Sequence, residues 1–161
     1  MHIPHGSDFG HSDFLDSKEL AELGERLIHQ KLAHLDDGNL LIDYRWKVKG
    51  GKSGGVAVLG KCVKLTGLAR HLSLGSHFCI WLAADHCQDF HFGEREIEAL
   101  LYHELCHIEV VEPEDPITYR TIGHDAELFF AELREYGAWK GDLRRLVETV
   151  EQLALPGILA Q

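Results

Sequence analysis

The residues with the most chemistry in their spacing lie in one short run, Leu100-Leu101-Tyr102-His103-Glu104-Leu105-Cys106-His107-Ile108. The pattern is H-E-x-x-H. On a helix, positions four apart share a face, so His103 and His107 point the same way and can share one metal ion. Glu104 falls about 100° around the helix from His103. There it stands beside the ion without ligating it, within reach of a bound water. Zinc lowers the pKa of such a water toward ~7, and a neighbouring carboxylate takes its proton. Leu105 falls on the opposite side and can pack in a core. Ile97, Leu100, Leu101, Ile108 and Val111 make the run apolar over most of its girth. Two histidines and a glutamate without partners would be costly to bury there.

A catalytic zinc keeps three protein ligands and one open position. The downstream candidates for the third ligand are His124, Asp125, Glu127 and Glu132. His124 is preferred: it follows a loop containing Pro113 and Pro116 and is read as opening the next helix, whose start can return to the metal. Asp125 and Glu127 can instead orient a ligand histidine from behind, with Asp125 also capping the helix. Ligation by an extra group such as Glu127 would close the site and make it structural. Tyr119, or Arg120 beside it, is the candidate donor to a tetrahedral oxyanion. Cys106 lies on the flank of the helix away from Glu104 and is expected to pack rather than ligate.

These residues need elements to position them. Asp16-Ser17-Lys18-Glu19 reads as a helix start, with Asp16 as N-cap and Glu19 three residues on. Leu20, Leu23, Leu27, Ile28 and Leu35 recur at helical spacing until Asp36-Asp37-Gly38-Asn39. Ile42, Tyr44, Trp46 and Val48 alternate with charged residues, as in a half-buried strand. The Gly-rich stretch 50–55 then suits a hairpin into a second strand, GVAVLGKCVKL. The stretch LARHLSLGS is ambiguous. Residues 77–84 are apolar and aromatic and read as a third strand. A long helix is expected from Glu94 to about Val111, a loop through EPEDPITYR, a second helix from His124 to Gly137 and a third from Asp142 to Leu153. The order predicts an α+β fold: a single compact domain with a small, mostly antiparallel sheet packed against the H-E-x-x-H helix and further helices. Residues 1–15 are expected to form a flexible tail, 16–155 the domain and 156–161 a C-terminal tail.

Composition narrows the function classes. The chain has 161 residues, enough for one domain with a real core, and 45% of them are hydrophobic. A net charge of −10 argues against a non-specific nucleic-acid or anionic-membrane binder. The four cysteines form no C-x-x-C pair, so no zinc ribbon is encoded. No signal-like or bilayer-spanning apolar run is present. The expectation is a cytoplasmic monomer with reduced thiols, acting on a peptide or protein substrate and not on a membrane.

LLYHELCHI followed by GHDAELF resembles the SprT-like zincins, and more closely the phage metallopeptidase family within that group. His103, Glu104, His107 and His124 stand at the positions of that family's H-E-L-x-H and following histidine. The upstream order of helix, Leu59-Gly60-Lys61 turn and strand before the metal helix is similar as well. The resemblance implies a zinc-dependent peptidase of a bacterial or phage-infected cell, with Zn2+ on the three histidines and Glu104 as base. It further implies that a peptide adds as a strand to a sheet edge, for which 77–84 is the candidate. SprT-like proteins often carry a C-terminal zinc ribbon or basic tail, and neither stands here. Two other readings compete. One is an inert or regulatory zinc-binding module. The other is similarity to peptide deformylases, which pair H-E-x-x-H with an upstream cysteine; Cys62 stands at about that distance, but in LGKCVKL and without the Gln-containing motif of those enzymes.

Overall fold

The structure is a computed structural model that describes residues 1–111, 118–124 and 130–153. The first long helix, α1 (Lys18–Lys31), begins one residue later than Asp16 suggests. Ser17 is the cap, its hydroxyl accepting from the Leu20 N–H at 3.2 Å. Asp16 instead ends a short strand, β1 (Phe14–Asp16), and pairs with Arg45 at 2.8 Å. Leu20, Leu23 and Leu27 form the buried stripe of α1, and a 3-10 turn at Ala33–Leu35 follows it.

The first fifteen residues do not trail away as expected. Gly6–Phe9 make a 3-10 turn that buries Phe9, β1 is hydrogen-bonded into the sheet, and the terminal amine reaches Glu94 at 2.5 Å. Apolar anchors at Phe9 and Leu15 supply burial that the many histidines of this segment obscure.

The main sheet has four strands in the order β1-β2-β6-β5. Strand β2 is Ile42–Lys47, β5 is Gly60–Lys64 and β6 is Phe78–Ala83; β3 (Lys52–Ser53) and β4 (Val56–Ala57) make a separate small ribbon. The expected hairpin from β2 into the next run therefore closes only that ribbon. Strand β6 inserts between β2 and β5, parallel to the former and antiparallel to the latter. The reason is composition. FCIWLA is apolar without alternation, which suits a central strand covered on both faces, and Phe78, Ile80 and Leu82 are fully buried. The segment 77–84 is thus not an edge. Among the described residues, β5 is the sheet's edge on this side.

The register of β5 fixes which of its backbone groups look outward. Leu65 donates to the His77 carbonyl at 2.8 Å, and Ala83 donates to the Leu59 carbonyl at 2.7 Å. Antiparallel pairs alternate, so the odd residues of β5 bond to β6 and Gly60, Cys62 and Lys64 turn their amides and carbonyls to the open side.

The ambiguous LARHLSLGS holds a short helix, α2 (Gly67–Leu72), and another, α3 (Ala84–Asp89), follows β6. The metal-motif helix α4 (Glu94–Leu105) stops earlier than Val111. Ile108–Val111 form β7 instead, a β-branched run that pairs antiparallel with β8 (Thr118–Thr121). The end of the expected loop is thus strand, and 112–117 lie outside the described residues. Helix α5 is described over Phe130–Tyr136 and ends at Gly137, which has φ of +65°. The expected start of that helix, 125–129, is outside the described residues, as is the expected tail 156–161. Helix α6 spans Gly141–Leu153. Helices α1 and α4 lie side by side on the sheet, α1 on β2 and α4 on β5 and β6. At Gly24 the helix runs so near the sheet that a Cβ would meet the Tyr44 ring at 2.5 Å. The fold is α+β, one domain with a small sheet and several helices.

Candidate metal centre

Helix α4 presents His103 and Glu104 from its last turn, where both are buried. His107 sits just past the helix end. Its N–H bonds the Glu104 carbonyl at 3.3 Å, a three-residue bond that closes the helix in a tighter turn and leaves His107 beside His103. The His103 and His107 ring centroids are 5.3 Å apart.

His124 arrives by a different route from a helix–loop–helix return. The β7–β8 register sets Ile108 opposite Thr121, and the pairing continues one step further. Ile122 donates to the His107 carbonyl at 2.9 Å, and the Ile122 carbonyl lies 2.8 Å from His107 Nδ1. A β-ribbon thus delivers His124 beside His107, with ring centroids 4.4 Å apart. His124 Nε2 lies 2.9 Å from His103 Nε2. The three histidines offer ligand atoms all within 4.8 Å of one another.

The far sides of two rings are held by acceptors. His103 Nδ1 lies 2.8 Å from Glu132, a carboxylate with no exposure, which also accepts from the Trp139 indole N–H. With Nδ1–H directed at Glu132, His103 turns Nε2 toward His124, the arrangement that fixes a metal-binding tautomer. His107 is set likewise by the Ile122 carbonyl. Desolvation, then the neighbouring histidine, pushes His107 down; His124 is pushed down to about 4 by desolvation and then by His103 and His107. Neutral imidazole is the ligand form. Glu132 is driven the other way. Burial opposes its charge, but the hydrogen bonds from His103 and Trp139 and the charges of His103 and Lys140 together outweigh that and hold it below the usual carboxylate range.

Glu104 is only 4% exposed, and burial lifts its carboxyl to about 7 against the pull of His103, the Cys62 N–H and Lys140. A carboxylate there can take and return a proton near neutral pH. It faces a cleft of about 610 Å3 walled by β5 on one side and by His107, His124, Trp139 and Lys140 on the other.

Several expectations move. Glu132, a candidate ligand from its type, stands behind His103 instead. Asp125 and Glu127, the expected orienting residues, lie outside the described residues. Tyr119 does not reach the cleft: its hydroxyl donates to Asp37 at 2.6 Å, and its ring packs on His77 and Phe78. Arg120 pairs with Glu109 at the surface. Both side chains are taken by partners outside the metal group. Cys62 is not part of that group among the described residues, and burial pushes its thiol up. Cys106 is half-buried, its thiol pushed up to about 12 by burial. Trp139 and Lys140 were not marked by the sequence, and Gly60 was marked only as part of a turn and not as a neighbour of Glu104. No local motif marks them, because each reaches the site from a segment distant in the chain.

The donor set suits a metal ion. Tetrahedral zinc holds ring nitrogens about 3.3 Å apart, and the 2.9 Å between His103 and His124 needs only slight spreading to match. An α+β domain that gathers three histidines beside a buried glutamate belongs to the class of domains equipped to hold one metal ion at a cleft. The model of a family described as "Putative phage metallopeptidase" matches residues 12–151, and the chain belongs to that family. No curated protein and no solved structure matches it. The family implies a metal, and the three-histidine group is where the described residues could hold it. No helix among the described residues is long and apolar enough to cross a membrane.

Proposed function

We propose that the protein is a zinc-dependent peptidase. The observation that carries this reading is the convergence of His103, His107 and His124 beside a buried Glu104 in one cleft. The histidines would hold the ion, which when bound would act as a Lewis acid toward water and a substrate carbonyl. Glu104 takes the proton of the attacking water and hands it to the leaving amine. Glu132 keeps His103 oriented throughout. With Tyr119 committed to Asp37, Lys140, the lysine of the cleft wall whose charge is felt by both Glu104 and His124, would face the developing oxyanion. The peptide lies along β5, not along 77–84, because Gly60 and Lys64 turn their backbone groups to that side and Cys62 its carbonyl, the Cys62 N–H being held by Glu104.

Glu104→Gln tests this reading on the zinc-loaded protein. Zinc content should stay at one per chain, and cleavage of fluorescently labelled casein should fall about 10²–10⁴-fold, the span of general-base catalysis. Cleavage at the wild-type rate would remove Glu104 from the mechanism. A wild type that binds zinc tightly and cleaves nothing would favour the inert binding module instead.

A further inference from the structure

Gly60 begins β5 directly against Glu104. A Cβ placed there would meet Glu104 Oε1 at 2.8 Å, Leu82 Cδ2 at 3.0 Å and Glu104 Cδ at 3.2 Å. The Gly60 backbone is not in the left-handed region, so the strand itself does not require glycine. What matters is the absent side chain. Leu82, at 3.0 Å, need give by only a few tenths of an ångström, whereas Glu104 Oε1 at 2.8 Å must shift, so a methyl at position 60 acts chiefly on the carboxylate. Two residues on, the Cys62 N–H is turned outward by the register and donates to that same carboxylate. Every other chemical group of the site comes from α4, β8 or the α5–α6 side, whereas this contact comes from the sheet edge.

We infer that Gly60 and the Cys62 amide form a seat for Glu104, Gly60 by leaving the space and Cys62 by aiming the carboxylate. They are positioning residues and act only through Glu104. The inference rests on the reading of Glu104 as the base. It adds that the wall of the substrate cleft also sets where that base stands. Leu59-Gly60-Lys61, expected as a turn, instead enters the strand at Gly60.

Amide hydrogen exchange measured by NMR on the full chain tests this without any substrate. In the wild type, Cys62 should be protected although its amide faces the open edge. Gly60→Ala and Glu104→Ala should each speed Cys62 exchange by about tenfold or more, as expected for loss of one hydrogen bond to a charged acceptor. Lys61 and Val63, which bond to β6, should keep their rates. Zinc affinity of Gly60→Ala should stay within about threefold, since no ligand is moved. Unchanged Cys62 exchange in either variant overturns the seat. Should Gly60→Ala fail to fold, adding Glu104→Ala removes the clash and should restore folding. A double variant that still fails places the fault in the strand and overturns the proposal. On labelled casein, Gly60→Ala should lower kcat about tenfold or more with KM nearly unchanged, the mark of an interaction used only in the transition state. A casein assay in which Glu104→Gln is fully active would defeat the base while leaving the exchange result standing, so the two ideas fail separately.

Discussion

Tyr119 and His124 are five positions apart in the chain, on and just beyond the same strand, and they serve different groups of residues. Tyr119 points back under the sheet, where its hydroxyl closes on Asp37 and its ring covers Phe78. His124 leaves the ribbon on the other side and meets His103 and His107 over the cleft. Both residue types can do chemistry at a zinc site, and both were placed there by type and proximity to the motif. The difference is commitment. The Tyr119 group satisfies itself and ties β8 to the loop after α1. The histidine group is braced from behind by Glu132 and the Ile122 carbonyl and turns its remaining nitrogens toward a common point. A polar residue becomes part of a site when its supporting hydrogen bonds lie outside that site.

His124→Ala should lose stoichiometric zinc at micromolar metal, and with it all measurable casein cleavage, because two imidazoles alone make a weak site. Metal analysis after gel filtration checks this; zinc retained at one per chain would mean another residue completes the ligand set. Glu132→Gln should have a smaller effect. It removes the charge behind His103 but keeps a hydrogen-bonding group, and metal affinity should fall about 10–100-fold, measured by competition with a chromophoric chelator. An unchanged affinity would reduce Glu132 to a packing residue.

Tyr119→Phe should have the smallest effect and act on stability alone, with a loss of about 1 kcal/mol in urea unfolding and no change in zinc content or cleavage. A large fall in kcat would return Tyr119 to the reaction. The pH dependence sharpens the point. Burial opposes the Asp37 charge, but the Tyr119 hydroxyl and the Asn39 and Leu40 N–H groups outweigh it and hold Asp37 below its ordinary 3.8. A depressed carboxyl stabilises the fold above its unfolded pKa and ceases to do so as pH falls through the folded value. The gap between wild type and Tyr119→Phe should therefore be full at neutral pH and narrow below about pH 4.

Much of the fold was legible from local pattern. The α1 stripe, the alternation of β2, the end of α5 at Gly137 and the span of α6 all follow from apolar spacing and stop signals. What misled was partner choice. Strand β2 and the run after the glycines read as a hairpin, and only the insertion of β6 between them showed otherwise. Pairing is a long-range decision made by burial, and the uniformly apolar β6 takes the centre. The last residues of the expected long helix became β7, because pairing with β8 satisfies a β-branched run better than another helical turn.

By itself, the sequence determined that His103 and His107 share a face with Glu104 beside them, because helical pitch is a local property. It also held the residue types that suit a metal. Tertiary structure alone decided how His124 arrives, that Glu132 braces a ligand, that Tyr119 is spent elsewhere and that Gly60 makes room for Glu104. Each of those depends on which strand lies next to which, and strand order is settled by burial over the whole domain.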